Sequence, residues 1–589
     1  MKVSLRSLPR LCVWAAGLAA VTVAISPLAA HAQLKMSGEP VKATKSQAAL
    51  SLRQPNLSEL EAAVVRMGPA NASEINAIQE RNATLQQKSM QVGIVRKLKD
   101  EFLVSPTLRW VAHNDGGGIS RLVVSSQDAK ALRVGLDVTG LPDGAELRFA
   151  NAAGEVTYAA TAADIREARR ESTTYWTPLT VGAEQIIEVY VPPGQSAAGV
   201  RINVDSASHL FASPNDGFKT AKALGDSGTC NVDVRCEPQT TAFVNAKNAV
   251  AWMQFQATCG TGGALASCIC TGTLLNDGDT STQIPYFYSA NHCIGTQTEA
   301  STLNTIWSYE RSACGGGSAS TSNIVAGGAD LLYKETNRDA LLLKLRGSPP
   351  SGAFFAGWDA NTITEGTTFT AIHHPRGDAK KVSKGRFVGF TPLSEFANQQ
   401  FTTAAWTSGT TEGGSSGSAI FTFADNEYFV RGSLYGGFAA CSNAGNVDNT
   451  NNRDWYSRFD QVFPNIRKYL AVDYSGSWSD PTEDGTGISI IQGESSGTLG
   501  IIWYQYTAAP ERKPIWFFFS GNWTGINTFN GSWIQLSRTG YTEPYNPAIA
   551  SSQVVGSATF TFTSPTTLTM SYTMSGGLRG TKNLVRLTF

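Results

Sequence analysis

Charge is scarce in this sequence: Asp, Glu, Lys and Arg make up 16% of its 589 residues, against roughly 25% in ordinary soluble domains. The 47 basic and 47 acidic residues cancel. No basic run supplies the concentrated positive potential that a nucleic-acid surface requires, so nucleic acid is not an expected partner. Histidine is rarer still, with six in all and no His-Glu-x-x-His, which removes the commonest zinc-protease signature. After the first 32 residues no run of 18 uninterrupted apolar residues remains, so the mature chain is expected to be soluble. Cysteine is missing from residues 33–229 and again from 442–589. What is plentiful is Gly (57 residues), Ser, Thr and aromatics, the composition of a β-rich, loop-rich exported protein. At about 150 residues per domain the length predicts roughly three or four domains.

The N-terminus sets the compartment. Lys2, Arg6 and Arg10 precede an apolar run from Leu11 to Ile25, followed by Pro27 and the small-x-small triplet Ala30-His31-Ala32. This is the layout of a secretory signal peptide over residues 1–32, and Pro27 with the cleavage triplet favours it over an uncleaved anchor. Removal of Cys12 leaves Cys230, Cys236, Cys259, Cys268, Cys270, Cys293, Cys314 and Cys441. An even set in an exported chain reads as disulfides whose pairing the spacing alone leaves open. Cys268-x-Cys270 and the wider Cys230–Cys236 spacing are not zinc-ligand spacings, so no metal is expected.

The cysteines also divide the chain into an N-terminal segment, a stapled domain and a C-terminal module. The first opens with a helix capped at Asn71-Ala72-Ser73-Glu74, with Ile75, Ile78 and Leu85 near helical spacing. Strands and turns follow, including a turn at Leu141-Pro142-Asp143-Gly144 and a strand from Gln185 to Val191 ended by Pro192-Pro193-Gly194. Ser213-Pro214-Asn215-Asp216-Gly217 reads as an exposed linker. The C-terminal module holds 18 aromatics, in runs such as Ile501–Tyr506 and Ile515–Phe519, punctuated by Gly-x-Trp. Antiparallel hairpins are expected there; the rings either fill a small β core or stack on sugar rings.

Three motifs carry chemistry in combination. His292 follows an apolar strand in Tyr286-Phe287-Tyr288-Ser289-Ala290-Asn291-His292-Cys293; Asp339 precedes the strand Ala340–Leu345; Ser416 lies in Gly413-Gly414-Ser415-Ser416-Gly417-Ser418. A serine hydroxyl attacks only when an imidazole takes its proton, and that imidazole needs an acceptor on its other nitrogen. Flanking glycines let backbone amides face a developing oxyanion. The order His, Asp, Ser is that of chymotrypsin-like double β-barrels. Asp330 is the alternative acid, and His373 with His374 read as packing residues, since neighbours on a strand face opposite ways.

Residues 225–470 resemble the lysyl endopeptidase family of secreted bacterial serine proteases. The resemblance runs through Cys230-Asn231-Val232-Asp233-Val234-Arg235-Cys236, Cys270-Thr271-Gly272, Asn291-His292-Cys293 and Ala356-Gly357-Trp358-Asp359. It continues through Ile372-His373-His374-Pro375, Thr411–Ser418 and Arg453-Asp454-Trp455-Tyr456. It implies a triad of His292, Asp339 and Ser416, and an oxyanion hole at the amides of Gly414 and Ser416. It implies the disulfides Cys230–Cys441, Cys236–Cys314 and Cys270–Cys293, with Cys259 and Cys268 left to each other. It also implies that Asp454 reads a cationic side chain, because Thr410 stands where trypsin-like enzymes carry an acid. The rival reading is a surface Arg453–Asp454 pair. Glu412 is close enough in sequence to share the role, and Tyr435, in Leu434-Tyr435-Gly436-Gly437 where one member of the family carries a His, bears on Lys against Arg.

The expectations are therefore these. The fold is mainly β: a chymotrypsin-like double β-barrel protease domain (225–471), preceded by a signal peptide (1–32) and an α+β propeptide (33–224), and followed by a small antiparallel β module (472–589). The propeptide assists folding and blocks the cleft, as the family suggests, since Ser415 replaces the Asp with which trypsin-like zymogens pair a new N-terminus. Tyr175-Trp176-Thr177-Pro178-Leu179 carries a fainter family likeness; Lys219 and Lys222 are self-cleavage candidates before a mature start near Gly225. The function is a secreted serine endopeptidase cutting after Lys, with Arg as an alternative, needing no cofactor. Its partners are protein or peptide substrates, its own propeptide and a polysaccharide or surface ligand for the C-terminal module; a monomer is expected. The rival functions are an inactive protease-fold binding protein and an adhesin acting through that module.

Overall fold

The chain's regular structure is mainly strand, and central strands such as Val250–Ala257 and Ala266–Leu275 are buried along their whole length, covered on both faces. The computed structural model describes residues 34–42, 50–56, 62–98, 107–212, 227–279, 281–493, 497–525 and 527–588. The signal peptide, the linker at 213–217, Lys219, Lys222 and Gly225 lie outside the described residues.

In the N-terminal region the expected helix forms over Ala72–Thr84, where Asn71 Oδ1 accepts from the amides of Ser73 and Glu74. Ile78 is its buried contact. The turn at Pro142 closes by an Ala145 amide bond to the Pro142 carbonyl, with Gly144 at φ 79°. A six-stranded sheet built on Gly118–Ser126 and Glu184–Val191 packs its apolar face against Ala131–Thr139 and Arg201–Leu210.

Those last two strands belong to a second, larger sheet. Its order runs Ala131–Thr139, Arg201–Leu210, Met90–Lys97, Ala266–Leu275, Val250–Ala257, Asn304–Ile306. Hydrogen bonding therefore passes without a break from the cysteine-free N-terminal region into the stapled domain, through the pairing of Met90–Lys97 with Ala266–Ile269. Tyr286–Ser289, Ala329–Glu335 and Ala340–Leu345 branch from the same sheet. A nine-stranded sheet holds the second half of the stapled domain, including Lys381–Leu393, Gln399–Ser408, Ala419–Ala424, Glu427–Gly437 and Asp454–Tyr456. The two sheets meet over a core of Tyr288, Leu342, Trp358, Ile372, Phe421 and Val430, sealed by the helix Phe459–Leu470. This is the chymotrypsin-like arrangement, in which the site lies where the two sheets face each other.

The disulfides are Cys230–Cys441, Cys236–Cys314, Cys259–Cys268 and Cys270–Cys293. Beyond residue 475 eight antiparallel strands close into a barrel, its first and last joined through Trp478 opposite Arg586. Trp478, Trp503, Phe519, Trp533 and Phe560 fill the interior. Their neighbours Tyr504, Tyr506 and Trp516 point outward, as period-two alternation requires.

Candidate active site

Three turns bring the catalytic candidates together. His292 sits just past the strand Tyr286–Ser289, in a turn held by a Cys293 amide bond to the Ala290 carbonyl and by the Cys270–Cys293 disulfide. Asp339 occupies the left-handed region at φ 49°, which the short polar side chain of Asp tolerates better than most. Its carboxylate is buried and accepts from the His292 amide at 2.9 Å, while its other oxygen meets His292 Nδ1 at 2.7 Å. On the far side of the ring, Nε2 lies 2.7 Å from Ser416 Oγ. Asp330 is elsewhere, paired with Arg346 at 2.9 Å and Arg170 at 3.5 Å.

The nucleophile turn depends on glycine at two positions. Gly414 has φ 92°, and a Cβ there would lie 2.9 Å from the His374 carbonyl oxygen. Gly417 has φ 79°, and its Cβ would fall 2.0 Å from Ser289 Oγ. Neither place admits a side chain. Beneath the turn, His373 is buried between Ser415 Oγ (2.8 Å) and Ser383 Oγ (3.0 Å). Burial, with Lys88 and Lys381 nearby, lowers its pKa to about 3, so the ring is neutral. Ser383 donates to the Thr410 carbonyl, so His373 Nε2–H donates to Ser383 and Nδ1 accepts from Ser415. Ser415 thus braces the nucleophile turn against the strand Thr368–His373. His374 stacks on Tyr309 at 5.7 Å, its Nδ1 bonded to the Asp378 carbonyl.

The cleft is filled by the chain's own residues 86–88. The Gly437 amide donates to the Gln86 carbonyl at 3.1 Å, Gln87 bridges Gly436, and the Lys88 amide donates to the Tyr435 carbonyl at 3.5 Å. Gly436 must lack a side chain, since a Cβ would meet the Gln86 carbonyl oxygen at 2.2 Å. The Lys88 carbonyl oxygen accepts from the amides of Gly414 (2.5 Å) and Ser416 (3.1 Å). Its ammonium enters a closed pocket, donating to Asp454 Oδ1 (2.7 Å), Thr411 Oγ1 (2.7 Å) and the carbonyls of Thr411 (2.8 Å) and Ala439 (3.1 Å). Asp454 is fully buried, and its Oδ2 accepts from Trp406 Nε1 (2.7 Å) and Thr411 Oγ1 (2.6 Å). Both oxygens of the carboxylate are thus satisfied, as a buried charge requires.

Other candidates fall differently. Arg453 bonds the carbonyls of Asn449 and Asn452, so it makes no surface pair with Asp454. Glu412 accepts from the Gly228 amide (2.8 Å) and Asn231 Nδ2 (2.7 Å), tying the start of the stapled domain to the nucleophile turn. Tyr435 stands edge-on to His292 at 5.8 Å and packs on Phe396 and Phe401. Burial, reinforced by Glu395, pushes its phenol pKa up. Sequence reasoning missed Lys88, Thr411, Trp406 and the His373–Ser415 brace. The one available signal for Lys88 was a lone lysine between a capped helix and an apolar strand.

The fold and the site define a serine protease of the chymotrypsin type. Residues 66–211 match the family model of the lysyl endopeptidase N-terminal domain, and residues 224–457 that of the lysyl endopeptidase C-terminal domain. A lysyl endopeptidase of Pseudomonas aeruginosa is 37% identical over 398 residues, covering 65% of this chain and 81% of the relative. The chain belongs to the lysyl endopeptidase family.

Proposed function

We propose that the protein is a secreted serine endopeptidase that cleaves after lysine. Ser416 Oγ attacks the scissile carbonyl carbon while His292 Nε2 takes its proton. Asp339 fixes the Nδ1–H tautomer and stabilises the imidazolium. The amides of Gly414 and Ser416 stabilise the oxyanion, and His292 then protonates the leaving amine. The observation that carries this reading is the occupied cleft: a lysine carbonyl on those two amides, with its ammonium on Asp454, beside a hydrogen-bonded Ser416–His292–Asp339 relay. The four oxygens around the ammonium suit a compact point charge, which favours Lys over Arg. Glu412 supports the turn from outside the pocket, and Tyr435 lends the substrate its carbonyl.

Residues 33–224 act as a propeptide, cut near Gly225, and four disulfides fit an oxidising destination. Outside the catalytic unit, Tyr504 and Trp516 lie opposite each other on adjacent barrel strands, both 47% exposed. Paired rings of this kind suit stacking on a polysaccharide, which a pull-down with the full chain tests. For the main reading the test is a peptide-library digest. Wild type should cut on the carboxyl side of Lys, and Ser416→Ala should neither cut nor process itself while keeping its fold. Activity in Ser416→Ala, or cutting without regard to the preceding residue, rejects the assignment.

A further inference from the structure

We propose that Lys88–Ser89 is a reactive bond built into the propeptide, opened and resealed by Ser416, so that latency comes from a substrate the enzyme cannot release. This rests on the function proposed above. Residues 86–88 do not merely cover the site; they lie on it as a substrate would. Their backbone adds antiparallel to Glu427–Gly437, the Lys88 ammonium fills the cation pocket, and its carbonyl oxygen is on both amides. The cation pocket and both oxyanion amides are therefore engaged with this residue, beside the Ser416–His292 pair.

What differs from a substrate is the hold on both sides of it. On the carboxyl side, Ser89 leads at once into Met90–Lys97, which is hydrogen-bonded to Ala266–Ile269 on one edge and to Ser206–Leu210 on the other. On the amino side stands the helix Ala72–Thr84. The two sides are cross-tied: Asn82 Nδ2 donates to the Gln91 carbonyl (2.7 Å), the Gln91 amide donates to Asn82 Oδ1 (3.3 Å), and Arg81 donates to Gln91 Oε1 (2.7 Å). Arg81 also donates to the Cys259 carbonyl at 3.0 Å, anchoring the tie to the protease domain.

The step balances without any co-reactant. Ser416 Oγ bonds to the Lys88 carbonyl carbon, its proton passes through His292 Nε2 to the Ser89 nitrogen, and the Lys88–Ser89 bond breaks to leave an acyl-enzyme. The reverse attack by the Ser89 amine returns the proton and regenerates the peptide bond. A tethered amine has an effective concentration of about 10⁵ M or more in favourable geometry, far above that of water. Resealing therefore outruns hydrolysis until the ties are lost.

The test follows the full-length precursor in time, with two readouts: lysyl-ester hydrolysis, and amino-terminal labelling with peptide mapping of acid-denatured aliquots, which finds the new Ser89 amine although the acyl-enzyme has the same mass as the intact chain. In wild type a minor species beginning at Ser89 should hold a constant fraction while the chain is latent. Lys88→Gln should abolish that species and bring ester hydrolysis forward by about a hundredfold, since the buried Asp454 loses its cation. Asn82→Ala, which keeps the lysine and loosens the tie, should accumulate the Ser89 species and shorten latency about tenfold. Should Lys88→Gln not fold, the Asn82→Ala comparison decides alone. If processed wild type hydrolyses the ester but no Ser89 species forms, or latency is unchanged in the variant tested, the reactive-bond proposal is overturned and the protease assignment stands. If no form of wild type hydrolyses a lysyl ester, both fall.

Discussion

A carboxylate withdrawn from water is stable only if donors replace its hydration, and Asp454 has three: the Trp406 indole, the Thr411 hydroxyl and a lysine ammonium. Two of these belong to the pocket and the third is Lys88 of the same chain; on the proposed function a substrate lysine would take its place, entering a charge already poised for a cation. Asp454→Asn should then lower kcat/KM on lysyl esters by about a thousandfold, corresponding to the roughly 3–5 kcal/mol lost when one partner of a buried pair is removed. Cleavage after neutral residues should change far less, because the relay and the two amides remain. Equal losses on both substrate kinds, measured by steady-state kinetics on matched esters, would show that Asp454 supports the fold and does not read the substrate. The sequence singled out His292, Asp339 and Ser416, which the fold brings into one hydrogen-bonded chain, because each stands in a recognisable motif of its own. Lys88 carried no such local mark. Its role comes from where the helix before it and the strand after it are docked, which no single-residue signal encodes.

At the scale of an element, the turn Gly413–Ser418 does two jobs with one backbone: it holds Ser416, the proposed nucleophile, against His292 and aims two amides. Gly414→Ala should expose the cost, since φ 92° and a Cβ 2.9 Å from the His374 carbonyl oxygen force the turn to move. Loss of one oxyanion donor typically lowers kcat by about 10²–10³. That loss should appear in kcat with KM little altered, while far-UV circular dichroism stays as in wild type. The capped helix at Asn71, the turn at Pro142 and the strand ended by Pro192 were all legible beforehand, because each is set by its own side chains. The barrel was legible only as hairpins. Closure depends on Trp478 meeting Arg586, more than a hundred residues apart, and nothing in either strand announces the other.

Across the whole molecule, the hydrophobic interior of the barrel is separate from that of the catalytic sheets. Calorimetry of the full chain should therefore show two transitions, and a chain ending at Val472 should keep the protease transition and the lysyl-ester activity. A single transition, or loss of activity on truncation, would mean that the two units fold as one. No such separation exists at the other boundary. The absence of cysteine suggested a distinct N-terminal body, but disulfides report on covalent ties, and the sheet joining that body to the protease is a backbone bond pattern indifferent to side-chain type. This shared sheet bears on the processing proposed above. If Met90–Lys97 departs with the proposed propeptide, the amides and carbonyls along Ala266–Ile269 lose their partner beside the cleft. An open edge of this kind is a template for any extended chain. An enzyme matured as proposed would be left with a sticky flank, which a long unfolded polypeptide threading past Ser416 could line and a short peptide could not.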